Sequence, residues 1–199
     1  MIFSRKYAAA LVAILMSHHA FADDGMPPPC DLVDTADLAE LGFRIFRSPS
    51  HEAVDLAKGE ADAPTATHTE ICTFLAGPRG DRLGLQLTVD TFAEKVTEAQ
   101  LKTWTQLIMK DDKATFRTSR IGNASCETGE FALVDARTRS QRGIQHFVSC
   151  DTLEPGGFRR VNLYFQAPED KALLPPPEQV KALLDKITLK ARLKGAITL

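Results

Sequence analysis

The hydrophobic residues of this chain change their spacing several times, and each change marks an element. Leu83, Leu85, Leu87 and Val89 alternate with Gly84, Gln86 and Thr88, the period of two expected of a half-buried strand. The same alternation returns at Val161, Leu163 and Phe165, set between Arg160, Asn162, Tyr164 and Gln166. Elsewhere the period is helical. Leu101, Trp104, Leu107 and Ile108 share one face, and Thr97 with Gln100 forms a capping box ahead of them. Val96 and Leu101 suit a hydrophobic staple, and Asp111-Asp112 ends the helix near Lys110. A last helix starts after Pro175-Pro176-Pro177, with Val180, Leu183, Leu184 and Ile187 as its apolar stripe.

Between these anchors the pattern is weaker. Asp34 or Thr35 can cap a short helix over 36–41, and Gly42 stands where a left-handed residue would end it. Residues 48–68 are polar and weakly periodic, and read as a long mobile loop. A strand over 69–76 turns through 77–81 into the strand at 83–89; Arg79-Gly80-Asp81 in that turn is ordinary hairpin chemistry. A meander follows, with strands at 116–121, 131–138, 143–152 and 158–166 and a Glu154-Pro-Gly-Gly157 turn before the last. The expected order is therefore α-β-β-α-β-β-β-β-α, an α+β fold in which helices flank an antiparallel sheet.

The N-terminus bears on location. Arg5 and Lys6 precede an apolar run over 7–16 that is too short to span a bilayer, and Ala20-Phe21-Ala22 has the small residues a signal peptidase accepts. Residues 1–22 thus read as a signal peptide cleaved after Ala22, residues 23–29 as a disordered leader, and 30–199 as one α+β domain. The expected mature chain is periplasmic or secreted, with no membrane insertion. Cleavage removes two bases, leaving 22 basic and 26 acidic residues, a balance that does not suggest a nucleic-acid partner.

The four cysteines, Cys30, Cys72, Cys126 and Cys150, all lie beyond the cleavage point, and an even number in an exported chain implies two disulfides. Of the three possible pairings, Cys30–Cys72 with Cys126–Cys150 is favoured, because each then ties neighbouring elements. No Cys-x-x-Cys is present, so neither a redox pair nor a zinc knuckle is expected.

Cys30-Asp31-Leu32, the short helix ending at Leu41-Gly42, and Ile71-Cys72-Thr73-Phe74 opening the sheet together resemble small cell-envelope domains of unknown function with a PsbP-like α/β/α sandwich. The resemblance implies that architecture over roughly 30–190 and brings no active site with it. The lipobox such envelope proteins often carry is missing.

Catalytic and metal motifs are scarce. His51, His68 and His146 are not spaced as metal ligands; His51 and His68 bracket the expected loop, and His146 reads as a packed strand residue. Ser125 sits in Gly122-Asn-Ala-Ser-Cys-Glu127, where Glu127 takes the place of the second glycine of a nucleophile elbow. Charge is more telling. Residues 117–160 hold seven arginines, no lysine and five acids. Arginines 137, 139 and 160, with Tyr164, form a candidate binding strip on the sheet, since guanidinium groups pair well with carboxylates and phosphates. The expectation is a non-enzymatic binding or interaction protein, an inhibitor or immunity protein being one form, without a cofactor. Its partner would be a protein or a small acidic ligand. The alternatives are a hydrolase-like enzyme built around Ser125, Glu127 and His146, or a structural accessory of envelope assembly.

Overall fold

The computed structural model describes residues 28–45, 48–55, 66–77, 83–111, 114–134, 141–168 and 171–193. The expected signal peptide, most of the leader, the Arg79-Gly80-Asp81 turn and residues 56–65 lie outside them. A 3-10 turn at Pro29–Leu32 leads into α1 (Thr35–Glu40). The chain then forms β1 (Arg44–Ile45), β2 (Ser50–Asp55), β3 (Ala66–Gly77) and β4 (Leu83–Phe92). Helix α2 (Glu98–Asp111) precedes β5 (Thr115–Ile121), β6 (Ala124–Val134), β7 (Gln141–Leu153) and β8 (Arg159–Pro168). A second 3-10 turn, Lys171–Leu173, and α3 (Pro177–Leu193) complete it.

Among the described residues all the strands join one eight-stranded antiparallel sheet in the order β1-β3-β4-β8-β7-β6-β5, with β2 also on β3. The α+β class expected from the pattern is therefore present. The element order differs by the two short strands β1 and β2, which share one edge of β3: Ile45 lies opposite Ala76, and Ser50 opposite Thr73.

Strand β2 corrects the reading of 48–68 as a loop. It was hidden because nearly every residue in it is exposed, so no hydrophobic alternation marks it. What holds it is a backbone ladder on one side and a chain of side-chain pairs. His51 Nε2 lies 3.5 Å from Glu70 Oε2, His68 Nε2 3.4 Å from Glu70 Oε1, and His68 Nδ1 2.7 Å from Asp55 Oδ1. Burial pulls the His68 pKa down, but the hydrogen bonds with Asp55 and Glu70 outweigh it and leave the value raised. The two histidines thus meet at one sheet edge through Glu70.

Strand β6 likewise begins at Ala124, earlier than the expected Phe131. Gly122, at φ 63°, and Asn123 form the two-residue turn between Ile121 and its partner Ala124, conformational freedom that glycine supplies.

The sheet's two faces are unlike. On one, Leu85, Leu87, Val148, Leu163 and Phe165 meet the α3 stripe of Val180, Leu183, Leu184 and Ile187 in the main core, which also holds Cys72, Cys126 and Cys150. Each of these large side chains contributes about 1.5–3 kcal/mol by leaving water. Both disulfides form with the favoured pairing, Cys30–Cys72 and Cys126–Cys150. They point to an oxidising, extracytoplasmic setting. Among the described residues no helix is long and apolar enough to cross a membrane.

Helix α2 covers part of the opposite face. Its capping box forms as expected, with Gln100 Oε1 accepting from Thr97 N at 2.9 Å and Gln100 N donating to Thr97 Oγ1 at 3.3 Å. Val96 and Leu101 join Ala66 and Phe92 in a small second core that Trp104 and Leu153 flank. The loop ahead of α2 is pinned to the β7–β8 turn, where Val96 N donates to Gly157 O at 2.8 Å.

Candidate functional site

The face beneath α2 is polar because strand alternation turns it so. On β6 and β7, Cys126 and Cys150 lie directly opposite each other and point into the main core. Their chain neighbours must point the other way. Ser125 and Glu127 on β6, with Asp151 on β7, therefore look toward α2. Ser125 is the direct partner of Asp151, which leaves Glu127 and Asp151 as diagonal neighbours on one face. The disulfide behind them fixes this register covalently.

Between α2 and the sheet these residues border a cleft of about 400 Å³. Glu98, Lys102 and Thr105 come from the helix, Thr118 and Arg120 from β5, Asn123 from the hairpin turn, and Ser125, Glu127, Asp151 and Leu153 from the strands. The volume falls within the range of small-molecule sites.

Glu127 is only 5% exposed. Burial, reinforced by the charge of Asp151, pushes its carboxyl up to about 7, against the opposing pull of the Ser125 hydrogen bond and of Arg160. Ser125 Oγ donates to Glu127 Oε1 at 3.0 Å. Burial also raises the pKa of Asp151; Arg160 opposes that rise, and the charges of Asp90 and Glu98 add to it. Two carboxyls near one another, both poorly hydrated, are an arrangement concentrated at functional sites.

The nearby cations are largely committed. Arg120 makes a double contact with Glu98, at 2.5 and 3.1 Å. The guanidinium of Arg160 lies 2.9 Å from Asp90 Oδ2 through Nη2 and stacks over Trp104, 5.1 Å from the ring centroid. Asp90 in turn accepts from Thr69 Oγ1 at 2.9 Å. With side-chain exposures of 13% for Arg160 and 5% for Asp90, this ion pair belongs to the interior.

Only part of the candidate binding strip falls within the described residues, its Arg160 and Tyr164 sharing one face of β8. Arg137 and Arg139 lie outside the described residues, as does the side chain of Arg142. Arg160 is held by Asp90 and Trp104 instead of standing free on the sheet. Tyr164 stacks on Phe147 with centroids 5.8 Å apart. Arg117 shares the α3 side of β5 with Ser119, opposite Cys126, whereas Arg120 lies on the α2 side, so these two arginines face opposite sides of the sheet.

The grouping of Ser125, Glu127 and His146 is divided too. His146 lies opposite Glu130, with Nδ1 3.3 Å from Glu130 Oε2, and shares the face of Val148 and Cys150. Ser125 and Glu127 face the cleft on the other side. Asp151 was missed, although a signal for it existed. Once Cys126 and Cys150 are paired across strands, the acids that follow them, Glu127 and Asp151, must neighbour each other on the reverse face. Among the described residues no group of three or more His, Cys, Asp or Glu is arranged to hold a metal ion. Compared with protein-family models, with curated proteins and with solved structures, the chain matches none.

Proposed function

We propose that this is an exported, non-enzymatic binding protein of the periplasm, PsbP-like in its sandwich architecture, that holds a small polar ligand in the cleft between α2 and the sheet. One observation carries the reading: Glu127, 95% removed from solvent, borders a cleft of ligand size with no basic side chain in ion-pair contact among the described residues. A buried carboxyl without a counter-charge costs stability, and a ligand that satisfies it recovers that cost. A small-molecule library of mixed charge, followed by amide chemical shifts, tests this. Shifts centred on Ser125, Glu127 and Asp151 are expected; shifts confined to other surfaces, or none, reject the cleft as the site. The inhibitor form of the hypothesis rests on Arg137 and Arg139. Charge reversal at those two, leaving Arg160 intact, tests it by pull-down from periplasmic extract, and unchanged capture discards that surface.

A second reading, an enzyme, is favoured by the Glu127 carboxyl standing near 7 with the Ser125 hydroxyl 3.0 Å away. A group titrating near neutrality is suited to proton transfer. Hydrolase substrates turned over by the wild type and not by Glu127→Gln would establish it, and turnover unaffected by that change would remove Glu127 from any mechanism.

A further inference from the structure

We propose that the ligand of this cleft carries an organic cation, an ammonium or guanidinium group, seated between Glu127 and Asp151. The inference rests on the cleft being the binding site and goes on to name the chemistry that fits it.

Among the described residues, the charged groups facing the floor can be assigned. From α2 come Glu98 and Lys102, from β5 Arg120, from β6 Glu127, from β7 Asp151, from β8 Arg160 and from β4 Asp90. Arg120 cancels Glu98, and Arg160 cancels Asp90. What remains is Lys102, exposed on the helix, and two carboxyls on the floor. The unbalanced charge at depth is therefore negative, which opposes an acidic ligand and favours a cationic one.

The neutral lining sorts the cation further. Ser125 and Asn123 offer hydrogen-bonding groups beside the carboxyls, and Leu101 and Leu153 give an apolar wall on which a short aliphatic stem can lie. Space for a molecule, together with the absence of a three-ligand cage among the described residues, points away from a bare metal ion. A short diamine or an alkylguanidine matches both the charge and the stem.

Proton competition gives the sign of the pH dependence. A cation binds the ionised carboxyls, so affinity rises as the pH passes upward through about 7, where Glu127 loses its proton. A neutral ligand accepting from the protonated carboxyl would weaken over the same interval.

The full, oxidised protein is titrated with cadaverine and agmatine as cations, sorbitol as a neutral polyol and glutarate as an anion. Trp104, the single tryptophan, gives a fluorescence signal from the cleft-facing helix, and amide shifts locate the site. The cations should bind with shifts at Ser125, Glu127 and Asp151, about tenfold or more tightly near pH 8.5 than near pH 5.5. Lys102→Ala, a change at an exposed position that leaves the core untouched, should tighten them severalfold, and Glu127→Gln should weaken them about tenfold. Sorbitol or glutarate shifting these signals while the amines do not overturns the cation assignment and leaves the cleft standing as a site. Amine binding that ignores pH and both substitutions also overturns it. Silence from all four probes at millimolar concentration overturns the assignment and the cleft reading together.

Discussion

Replacing Glu127 by glutamine should make the protein more stable in alkali and change little in acid. The carboxyl is nearly isosteric with the amide, and the amide oxygen can still accept from Ser125, so the substitution mainly removes the charge. A carboxyl whose pKa is higher in the folded than in the unfolded chain binds its proton more tightly in the native state. Its stabilising contribution is therefore complete below about 4.5 and is lost as the pH rises through about 7. At about 1.4 kcal/mol per pH unit, that interval corresponds to about 3 kcal/mol lost by the wild type. Glutamine has no proton to lose. Urea unfolding with the disulfides intact should show the two proteins nearly equal near pH 4.5, and Glu127→Gln ahead by about 2–3 kcal/mol near pH 8.5. Asp151, raised mainly by burial, pulls both proteins in the same direction, and its repulsion of the Glu127 charge, absent from the variant, is part of the wild type's loss in alkali. A gap independent of pH, or a variant weaker than the wild type in alkali, would show that Glu127 is solvated and not confined under α2.

Three further outcomes are expected. Asp90→Ala strands the buried Arg160 guanidinium and should cost about 3–5 kcal/mol in urea unfolding, most of it recovered when Arg160→Met is added; full wild-type stability in the single variant would contradict the interior ion pair. Replacing Cys126 and Cys150 together by alanine opens a loop of sequence separation 24 and should cost about 3 kcal/mol on the chain-entropy model. The same pair fixes the register beneath the cleft, so amide shifts at Glu127 and Asp151 should move with it, and unmoved shifts would deny the disulfide that role. Gly157→Ala forces a side chain onto a residue at φ 79°, with its Cβ 2.6 Å from Val96 O, and should lower stability by about 1–3 kcal/mol and loosen the approach to α2; an unaltered melting temperature would count against this packing.

How far the fold was legible depended on which side of each strand faced oil. The strands over 83–92 and 159–168 were plain because α3 and the core select leucine, valine and phenylalanine on one face and tolerate polar residues on the other. Helix α2 announced itself through local chemistry, the Thr97–Gln100 box and the Val96–Leu101 contact, which need no tertiary partner to be recognised. Strand β2 stayed silent because an exposed edge strand is held by backbone pairing and by the His51–Glu70–His68–Asp55 chain, none of which leaves a hydrophobic period. The start of β6 was silent for another reason. Its inward residues are Ala124 and Cys126, small or sulfur-bearing, and its outward ones, Ser125 and Glu127, belong to a cleft and not to solvent.

The candidate site was less legible than the fold. Counting arginines showed where positive charge is concentrated in the chain but not that Arg160 lies against Asp90 and Trp104, since its partners are 70 and 56 positions away and arrive through sheet order and helix packing. The alternative enzyme site of Ser125, Glu127 and His146 is one that the two-residue period divides: Ser125 and Glu127 share one side of the sheet, and His146 the other. The productive clue was the pair of dipeptides Cys126-Glu127 and Cys150-Asp151, readable once the disulfide connectivity is accepted.

Titrating the Glu127 side-chain carboxyl directly, by its carbon-13 signal and with Glu127→Gln supplying the assignment, probes the floor of the cleft without requiring a ligand. A midpoint near 7 is expected for a carboxyl kept from water beside Asp151. A midpoint in the ordinary range near 4.5 would mean that water reaches it freely, and the cleft would then have no buried, unmatched charge with which to select a ligand.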